Sequence, residues 1–299
     1  MAGAARPSPG LRLTIVVSFN ARAHAVSMRK TFLASVLLIG STLTAIAAPT
    51  QCPAFFAGGV APDVGPSLSQ KVRPLCFSAY ALLHSGVTRS ALWSAEHLTR
   101  ESVRNARSLE RQNLFHAEMA LPVGERAELS DYVRSGFDRG HLAPSGNMPD
   151  EIAQAESFSL ANMIPQNPDN NRNLWAAIET AVRDHAVRSG ELYVVTGPLY
   201  IGKDLQVLRN RVLVPTHVFK AVYDPRRQAA AAYITANGPG AEWKTVSIKE
   251  LEGLAGIDVF PALSSAAKTK TASLPSPAPR ASRTARQEGW VARTLRSLW

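Results

Sequence analysis

The sequence predicts an α+β domain in which helices are combined with a mixed, mainly antiparallel sheet. Strand candidates rich in Val, Tyr and Thr cover residues 192–196, 212–223 and 228–234. Asp224-Pro225 separates the last two candidates and predicts a hairpin, whose strands are antiparallel. A periodic apolar segment at about residues 171–188 predicts a long helix.

The helix at about residues 171–188 is predicted from side-chain spacing. Trp175, Ile178 and Val182 recur at steps of three and four residues, which places them on one face of a helix. Gly190 then ends the segment, as glycine commonly does at helix C-termini. Shorter helices are expected at residues 99–113, 151–160 and 247–255.

The remaining elements are short. Two strands are expected at residues 77–83 and 90–97, with Gly86 in the turn between them. An extended segment is expected to run through His141. The polar residues 162–173, which include two prolines, are expected to form a loop.

The charge of the 299-residue chain is concentrated at its two ends. The formal net charge is +10, but residues 48–263 carry 21 basic and 22 acidic side chains. A central body this close to neutral lacks a uniform attraction for polyanions, so nucleic-acid binding there has to come from local arginine placement. No repeat of fixed period occurs, which excludes solenoids and propellers.

Residues 1–47 predict a leader and signal peptide. They carry five basic and no acidic side chains, and Met28–Lys30 is followed by an apolar run at residues 32–43 and the small-x-small site Ala45–Ala47. We expect cleavage after Ala47, a secreted or periplasmic protein, and no stable membrane association afterwards. An uncleaved membrane anchor is the alternative, and the start at Met1 or Met28 stays open.

Residues 48–89 form an N-terminal segment that holds both cysteines of the chain. In an oxidising compartment Cys52 and Cys76 are expected to form a disulfide, which would contribute about 3 kcal/mol through loop closure. Two free buried thiols are the alternative reading if the protein is not exported.

Residues 264–299 are expected to be a disordered basic tail. They are rich in Ser, Ala and Pro, and they carry seven basic side chains and one acidic side chain. We expect this tail to be dispensable for chemistry and to add affinity for long polyanions. The main domain is accordingly placed at residues 90–263.

The segment Asp138–His141 contains side chains that suit phosphodiester hydrolysis. Such hydrolysis requires a base to activate water and positive charge to stabilise the phosphorus centre. In a strand, Arg139 and His141 lie on the same face, so that a base and a phosphate clamp converge. Gly140 lets the backbone approach a ligand closely.

A second row of candidates lies on the long helix. Asn171, Trp175, Glu179 and Arg183 follow one another at steps of four and form a row along one side. The Asn171 carbonyl oxygen is either a helix cap or a metal ligand. On the spacing alone, an ordinary Asn cap and a surface Glu179–Arg183 pair explain the pattern equally well.

The combined motifs resemble the DNA/RNA non-specific endonuclease family, to which Serratia nuclease and endonuclease G belong. The resemblance covers about residues 90–262. It rests on the order and spacing of three segments, residues 138–144, 162–166 and 171–183. Three further segments are similar to endonuclease G in particular: residues 135–137, 194–198 and 214–217.

The resemblance implies a ββα-metal (His-Me finger) core and metal-dependent cleavage of DNA and RNA without sequence preference, leaving 5′-phosphate ends. In that reading His141 is the general base. Asn171 is the direct protein ligand of a single Mg²⁺ or Mn²⁺, and Glu179 orients metal-bound water. An ion held by water and one neutral amide keeps most of its charge for the phosphate.

The resemblance assigns supporting roles to four further residues. Arg139 and Arg183 would bind the phosphate, and Asp138 would support the residues that contact the metal or substrate without contacting either itself. Asn162 matches a further site asparagine and is expected to bind substrate.

Two features depart from the family pattern or leave it incomplete. The Serratia-type enzymes have another site asparagine at the position of Phe158, which reduces polar support there. They also use an upstream arginine, for which Arg104, Arg107 and Arg111 are all candidates.

Two other functions are compatible with the fold. One is a non-catalytic nucleic-acid-binding protein, which would lack the base or the metal ligand. The other is a sequence-specific endonuclease with a related metal core, which would need a module of base-reading side chains. The sequence leaves open the oligomeric state, a homodimer included, and the preference between DNA and RNA.

Overall fold

The computed structural model describes residues 51–240 and 242–278 of the chain. The predicted leader and signal peptide at residues 1–47 lie outside the described residues, as do residues 279–299 of the predicted tail. In the part of the chain that is described, no helix is long and apolar enough to cross a membrane.

The strands are β1 (Asp63–Val64), β2 (Val72–Cys76), β3 (Ala81–Ser85), β4 (Ser90–Thr99), β5 (Asp138–His141), β6 (Met163–Gln166), β7 (Glu191–Leu199), β8 (Val207–Leu208), β9 (Val212–Leu213), β10 (His217–Asp224), β11 (Ala229–Ala236), β12 (Lys244–Val246) and β13 (Ile257–Asp258). The α-helices are α1 (Arg100–Ala106), α2 (Leu129–Tyr132), α3 (Glu151–Ser157), α4 (Ala176–Ser189), α5 (Ile248–Ala255) and α6 (Ser265–Thr269).

A seven-stranded sheet in the order β12-β11-β10-β7-β4-β3-β2 forms the centre of the fold. Every neighbouring pair in it is antiparallel. The β10–β11 hairpin turns just after Asp224, as the Asp-Pro pair predicted. The α+β class with a mainly antiparallel sheet is therefore confirmed.

The two faces of the sheet support separate hydrophobic clusters, because side chains alternate along each strand. On β10, Val218 and Val222 pack into the cluster that contains the buried face of α4. Phe219 and Ala221 pack into the opposite cluster, together with α5. Helix α4 thus lies on one face of the sheet and carries its polar side chains away from the core.

Helix α4 confirms the predicted apolar stripe. Trp175, Ile178 and Val182 are all buried. A π-helical segment at Asn170–Trp175 precedes the α-helix, and Gly190 ends it with φ of 102°, a conformation that favours glycine. The wider π-turn was not predicted, because the step of four residues fits both geometries.

The polar segment 162–173 was expected to be a loop, and this expectation is wrong for its first part. Met163–Gln166 forms β6, which pairs antiparallel with β5 and is buried along its whole length. Pro165 is tolerated because β5 and β6 form a two-stranded sheet, in which each strand has a free edge.

Cys52 and Cys76 form the expected disulfide, with Cα atoms 6.1 Å apart. The bridge links the 3₁₀ turn at Pro53–Phe55 to the end of β2, at the edge of the central sheet. It therefore attaches an N-terminal segment that has little regular structure of its own.

The prediction that disorder begins at residue 264 is wrong. Ser264 caps α6, the Ala272 amide donates to the Ala230 carbonyl at 3.2 Å, and Leu274 packs against the core. The Tyr233 hydroxyl also donates to the Pro275 carbonyl at 2.6 Å. The side chain of Leu274 and the hydrogen bonds to the Ala230 carbonyl and from the Tyr233 hydroxyl on β11 anchor this segment, which composition alone did not reveal.

Candidate active site

The β5–β6 hairpin presents the Asp138–His141 motif, and its close packing requires a glycine. A Cβ atom added to Gly140 would lie 2.0 Å from Oε1 and 2.6 Å from Cβ of Gln166. Gln166 is itself fully buried, and its Nε2 donates to Asn170 Oδ1 at 2.8 Å. Gly140 thus lets β5 lie against the segment that leads into the π-helical turn.

A cleft of about 890 Å³ lies between this hairpin and helix α4. The residues predicted from the sequence that line it are Asp138, Arg139, His141, Asn171, Glu179 and Arg183. The structure therefore brings the two motifs, which are separated in sequence, to one surface. Ser276 and Ala278 of the C-terminal segment also line the cleft.

His141 lies at the cleft wall with only 8% of its surface exposed. Its Nε2 atom makes no hydrogen bond with the described residues. The ring contacts Phe158 edge-on at 5.0 Å between centroids and Phe115 at 5.8 Å. Burial, assisted by the positive charges of Arg111 and Arg139, lowers the pKa of His141 to about 3, so the imidazole is neutral at pH 7.

Asn171 is oriented by the carboxylate of Asp138. Its Nδ2 donates to Asp138 Oδ2 at 2.9 Å, which turns Oδ1 away from that carboxylate. Arg172 forms a bidentate pair with Asp138 at 2.8 and 2.6 Å. Partial burial raises the pKa of Asp138, but the hydrogen bonds from Arg172 and Asn171 outweigh it and hold the pKa below its usual value.

Glu179 and Arg183 lie one turn apart on α4, on the side that faces the cleft. Burial raises the pKa of Glu179, while the positive charges of Lys220, Arg183 and Arg111 oppose that rise. Arg183 donates from Nη1 to Asn147 Oδ1 at 3.2 Å and from Nη2 to Thr180 Oγ1 at 2.9 Å.

The structure also identifies which upstream arginine joins the site. Arg111 lines the cleft, and its guanidinium lies 5.3 Å from the centroid of the Phe158 ring. Arg107 instead pairs with Asp184 at 2.5 Å, and Arg104 is an exposed side chain of α1 outside the cleft lining. Arg139 stacks over the Phe115 ring at 4.0 Å, which restrains its guanidinium.

Asn162 does not line the cleft, and its expected role in binding substrate needs correction. It is fully buried, and its Nδ2 donates to the carbonyls of Ala143 and Ser157 at 2.8 and 2.9 Å. Its Oδ1 accepts from the Ala143 amide at 3.0 Å. Because both N–H groups are used by backbone, Asn162 fixes the chain just after His141.

Three site residues were missed by the sequence analysis. Arg172 holds Asp138, Phe115 contacts both Arg139 and His141, and Asn147 holds Arg183. Arg172 directly follows the metal-ligand candidate, and that position was a usable signal. Nothing in the local sequence of Phe115 indicates a place in the cleft, and nothing in that of Asn147 indicates a contact with Arg183.

Residues 58–266 match the model of the DNA/RNA non-specific endonuclease family. The chain belongs to this family. The match begins before residue 90, so the family domain includes β2, β3 and most of the N-terminal segment that was set apart in the sequence.

Individual relatives support the same family. The chain is 32% identical over 214 residues to the mitochondrial nuclease EXOG of Danio rerio, covering 62% of this chain and 60% of the relative. It is 36% identical over 197 residues to a nuclease of Nostoc, covering 60% and 70% respectively. It is also 33% identical to the mitochondrial endonuclease G of Caenorhabditis elegans, covering 62% and 67%.

A solved structure shows the same fold. The crystal structure of the EndoG/EndoGI complex superposes with a TM-score of 0.54 at 30% identity. The superposition covers 63% of this chain and 84% of the solved chain. The ββα-metal architecture implied by the motifs is therefore confirmed at the level of the fold.

The expectation of a secreted or periplasmic protein is wrong in the light of these relatives. The relatives from Danio rerio, Homo sapiens, Caenorhabditis elegans and Saccharomyces cerevisiae are all named as mitochondrial nucleases. Residues 1–47 carry basic and no acidic side chains, a composition that export signals share with other targeting peptides.

Proposed function

We propose that this protein is a metal-dependent endonuclease that hydrolyses DNA and RNA without sequence preference and leaves 5′-phosphate ends. One observation carries the proposal. A neutral buried histidine and an asparagine held by Asp138 line the same cleft, together with arginines on both sides.

The cleft residues fit a hard divalent cation such as Mg²⁺ or Mn²⁺. Asn171 would hold the ion through Oδ1, because its Nδ2 is engaged by Asp138. The Glu179 carboxylate would accept hydrogen bonds from water around the ion. When bound, the ion supplies positive charge to the phosphate and to the leaving oxygen.

His141 supplies the base. A general base must be unprotonated at the working pH, and the lowered pKa of His141 satisfies that condition at pH 7. Nε2 has no hydrogen-bond partner among the described residues, so none of their contacts has to break before it accepts a proton from water. The packed rings of Phe115 and Phe158 hold the imidazole in place.

The arginines explain how substrate is bound without regard to base sequence. Arg111, Arg139 and Arg183 surround the cleft, and guanidinium groups pair well with phosphate oxygens. Contacts to the phosphate backbone position a nucleic acid but carry no base information. Both DNA and RNA present that backbone, so both are expected substrates.

A cleavage assay tests the proposal against a non-catalytic binding protein of the same fold. Supercoiled plasmid and a structured RNA are incubated with the purified chain in Mg²⁺, in Mn²⁺ and in chelator. We expect cleavage of both nucleic acids with either metal and loss of cleavage in chelator. The 5′ ends of the products should accept a phosphate label only after phosphatase treatment, because they already carry a phosphate. Binding without cleavage under every metal condition would support the non-catalytic alternative.

A further inference from the structure

Two buried charged side chains lie outside the lining of the cleft. Glu96 on β4 and Lys220 on β10 are each 1% exposed. Lys and Glu are almost never fully buried unless they are paired. Both strands flank β7 in the sheet, and both side chains lie on the face covered by α4.

Lys220 lies close both to the segment that carries His141 and to the helical segment that carries Asn171. Its Nζ donates to Thr196 Oγ1 at 2.6 Å and lies 3.5 Å from the carbonyl oxygen of Leu142, the residue after His141. The same Nζ lies 5.3 Å from the ring centroid of Trp175, one helical turn after Asn171. One ammonium group therefore lies close to both the end of β5 and the helical segment that contains Asn171 and Trp175.

Glu96 directs its carboxylate at Asn147. Glu96 Oε1 accepts from Asn147 Nδ2 at 2.9 Å, and Oε2 has no partner among the described residues. Burial raises the pKa of Glu96 to about 7, and the charge of Lys220 and the hydrogen bond from Asn147 limit that rise. Lys220 thus supplies the positive charge that favours the carboxylate.

The orientation of the Asn147 amide follows from this contact. With Nδ2 given to Glu96, Oδ1 points to the opposite side and accepts from Arg183 Nη1 at 3.2 Å. The Arg183 guanidinium also lies close to Gly146, where an added Cβ would be 3.4 Å from Nη1. A flipped amide would present two N–H donors to a guanidinium, which has no acceptor.

We propose that Glu96 and Asn147 are positioning residues that hold Arg183 for the substrate phosphate, with Lys220 as their buried counter-charge. The proposal rests on the proposed function, in which Arg183 binds phosphate. It assigns a role to three residues that lie outside the sequence motifs. The contacts run from Glu96 on the sheet through Asn147 to Arg183 in the cleft. They restrain the long Arg183 side chain, which within α4 is hydrogen-bonded only to Thr180.

A stabilising role alone does not account for this arrangement. Two ions removed from water lose solvation energy that their attraction repays only in part, and well-packed apolar residues often replace such pairs at no cost in stability. An oxygen acceptor at position 96 is required, however, if the Asn147 amide is to keep one orientation.

A double-mutant cycle between Asn147 and Arg183 tests the proposal. Steady-state cleavage of an oligonucleotide is measured for the wild type, Asn147→Leu, Arg183→Ala and the double variant, each with its thermal midpoint. We expect Asn147→Leu to lower kcat about 10-fold or more, and to have no further effect once Arg183 is alanine. Losses that multiply in the double variant would show that Asn147 acts independently of Arg183 and would overturn the proposal.

A matched pair of variants separates the acceptor from the charge. Glu96→Gln with Lys220→Met and Glu96→Leu with Lys220→Met both remove the two buried charges, but only the first keeps an oxygen for Asn147. Because the Lys220 charge also acts on Glu179, both variants are compared with Lys220→Met alone. We expect the Gln variant to retain most of the kcat of Lys220→Met, and the Leu variant to fall below it by the factor that Asn147→Leu loses relative to the wild type. Equal kcat in two folded variants would contradict the proposal.

The two proposals fail in different ways. An inactive wild-type chain would contradict the proposed nuclease function itself. An active wild type whose kcat/KM is unchanged by Arg183→Ala would contradict the role of Arg183. A loss with Arg183→Ala that is not shared by Asn147→Leu would contradict only the positioning role.

Discussion

The ring of Phe158 meets the imidazole of His141 edge-on, with centroids 5.0 Å apart and planes at 85°. Phe158 occupies the position at which Serratia-type enzymes have a site asparagine, and it is fully buried. Phe115 packs against Phe158 at 4.9 Å in the same edge-on manner. The histidine is therefore held by ring packing on this side, where an amide side chain would offer hydrogen bonds.

This environment predicts a histidine that stays neutral in acid. The pKa of His141 is lowered to about 3 by burial first and by Arg111 and Arg139 second, so its titration is expected well below the ordinary value of about 6.5. NMR titration of the ring C–H signals of the metal-free protein measures it directly. Arg139→Gln is expected to raise the pKa, and a wild-type midpoint near 6.5 would contradict the environment described.

The lowered pKa of His141 also makes the stability of the folded chain depend on pH. The unfolded chain takes up a proton on His141 below pH about 6.5, whereas the folded chain does so only near its lowered pKa. Stability contributed by the neutral ring is therefore complete above pH 6.5 and is lost as the pH falls toward 3. His141→Phe is expected to reduce the acid sensitivity of the unfolding midpoint.

Gly140→Ala is predicted to destabilise the hairpin. A methyl group there would overlap Gln166 at 2.0 and 2.6 Å, and overpacking of this kind costs about 1–3 kcal/mol. Gly124→Ala is a suitable control, because an added Cβ at that position meets nothing within 4 Å. Urea unfolding measures both variants. Equal stability of the two would mean that the close approach of β5 to Gln166 is not required.

Two truncations are predicted to behave differently because residues 264–278 are docked. A chain ending at Leu263 would lose the contacts of Leu274 and Pro275 and part of the cleft lining. We expect a lower thermal midpoint and a higher KM.

A chain ending at Ala278 is expected to keep its thermal midpoint and its kcat on short substrates. It should bind long polyanions less tightly at low salt, because five of the chain's arginines lie beyond that point. The comparison combines thermal unfolding with binding at several salt concentrations. Identical midpoints for the two truncations would show that the docked segment contributes nothing to the fold.

Local patterns in the sequence were sufficient for the parts of the fold and site that depend on near neighbours. The stripe of Trp175, Ile178 and Val182 predicted α4, and the Asp138–His141 motif with Asn171 predicted which side chains meet in the cleft. The apolar stripe depends on steps of three and four residues, which periodicity detects. That Asp138–His141 and Asn171 share one site was implied by the resemblance to the endonuclease family.

Features that depend on strand order could not be predicted in this way. Glu96 and Lys220 are far apart in sequence, and only the β4-β7-β10 neighbourhood brings them beneath one helix. Asn162 matches a family motif, yet its hydrogen bonds place it in the backbone support of His141 rather than in the cleft. The docking of residues 264–278 depends on acceptor groups of β11 that composition does not reveal.

The most direct test of the central claim is a metal titration of initial cleavage rates for the wild type, His141→Ala and Asn171→Ala. Asn173→Ala is the control, since Asn173 lines the same cleft but its amide bonds to Asp169. His141→Ala is expected to lower turnover by roughly 10²- to 10⁴-fold at every metal concentration. Asn171→Ala is expected to recover in part at high Mg²⁺ or Mn²⁺. Near wild-type turnover in His141→Ala, or its rescue by metal to the same extent as Asn171→Ala, would contradict the assignment of base and ligand.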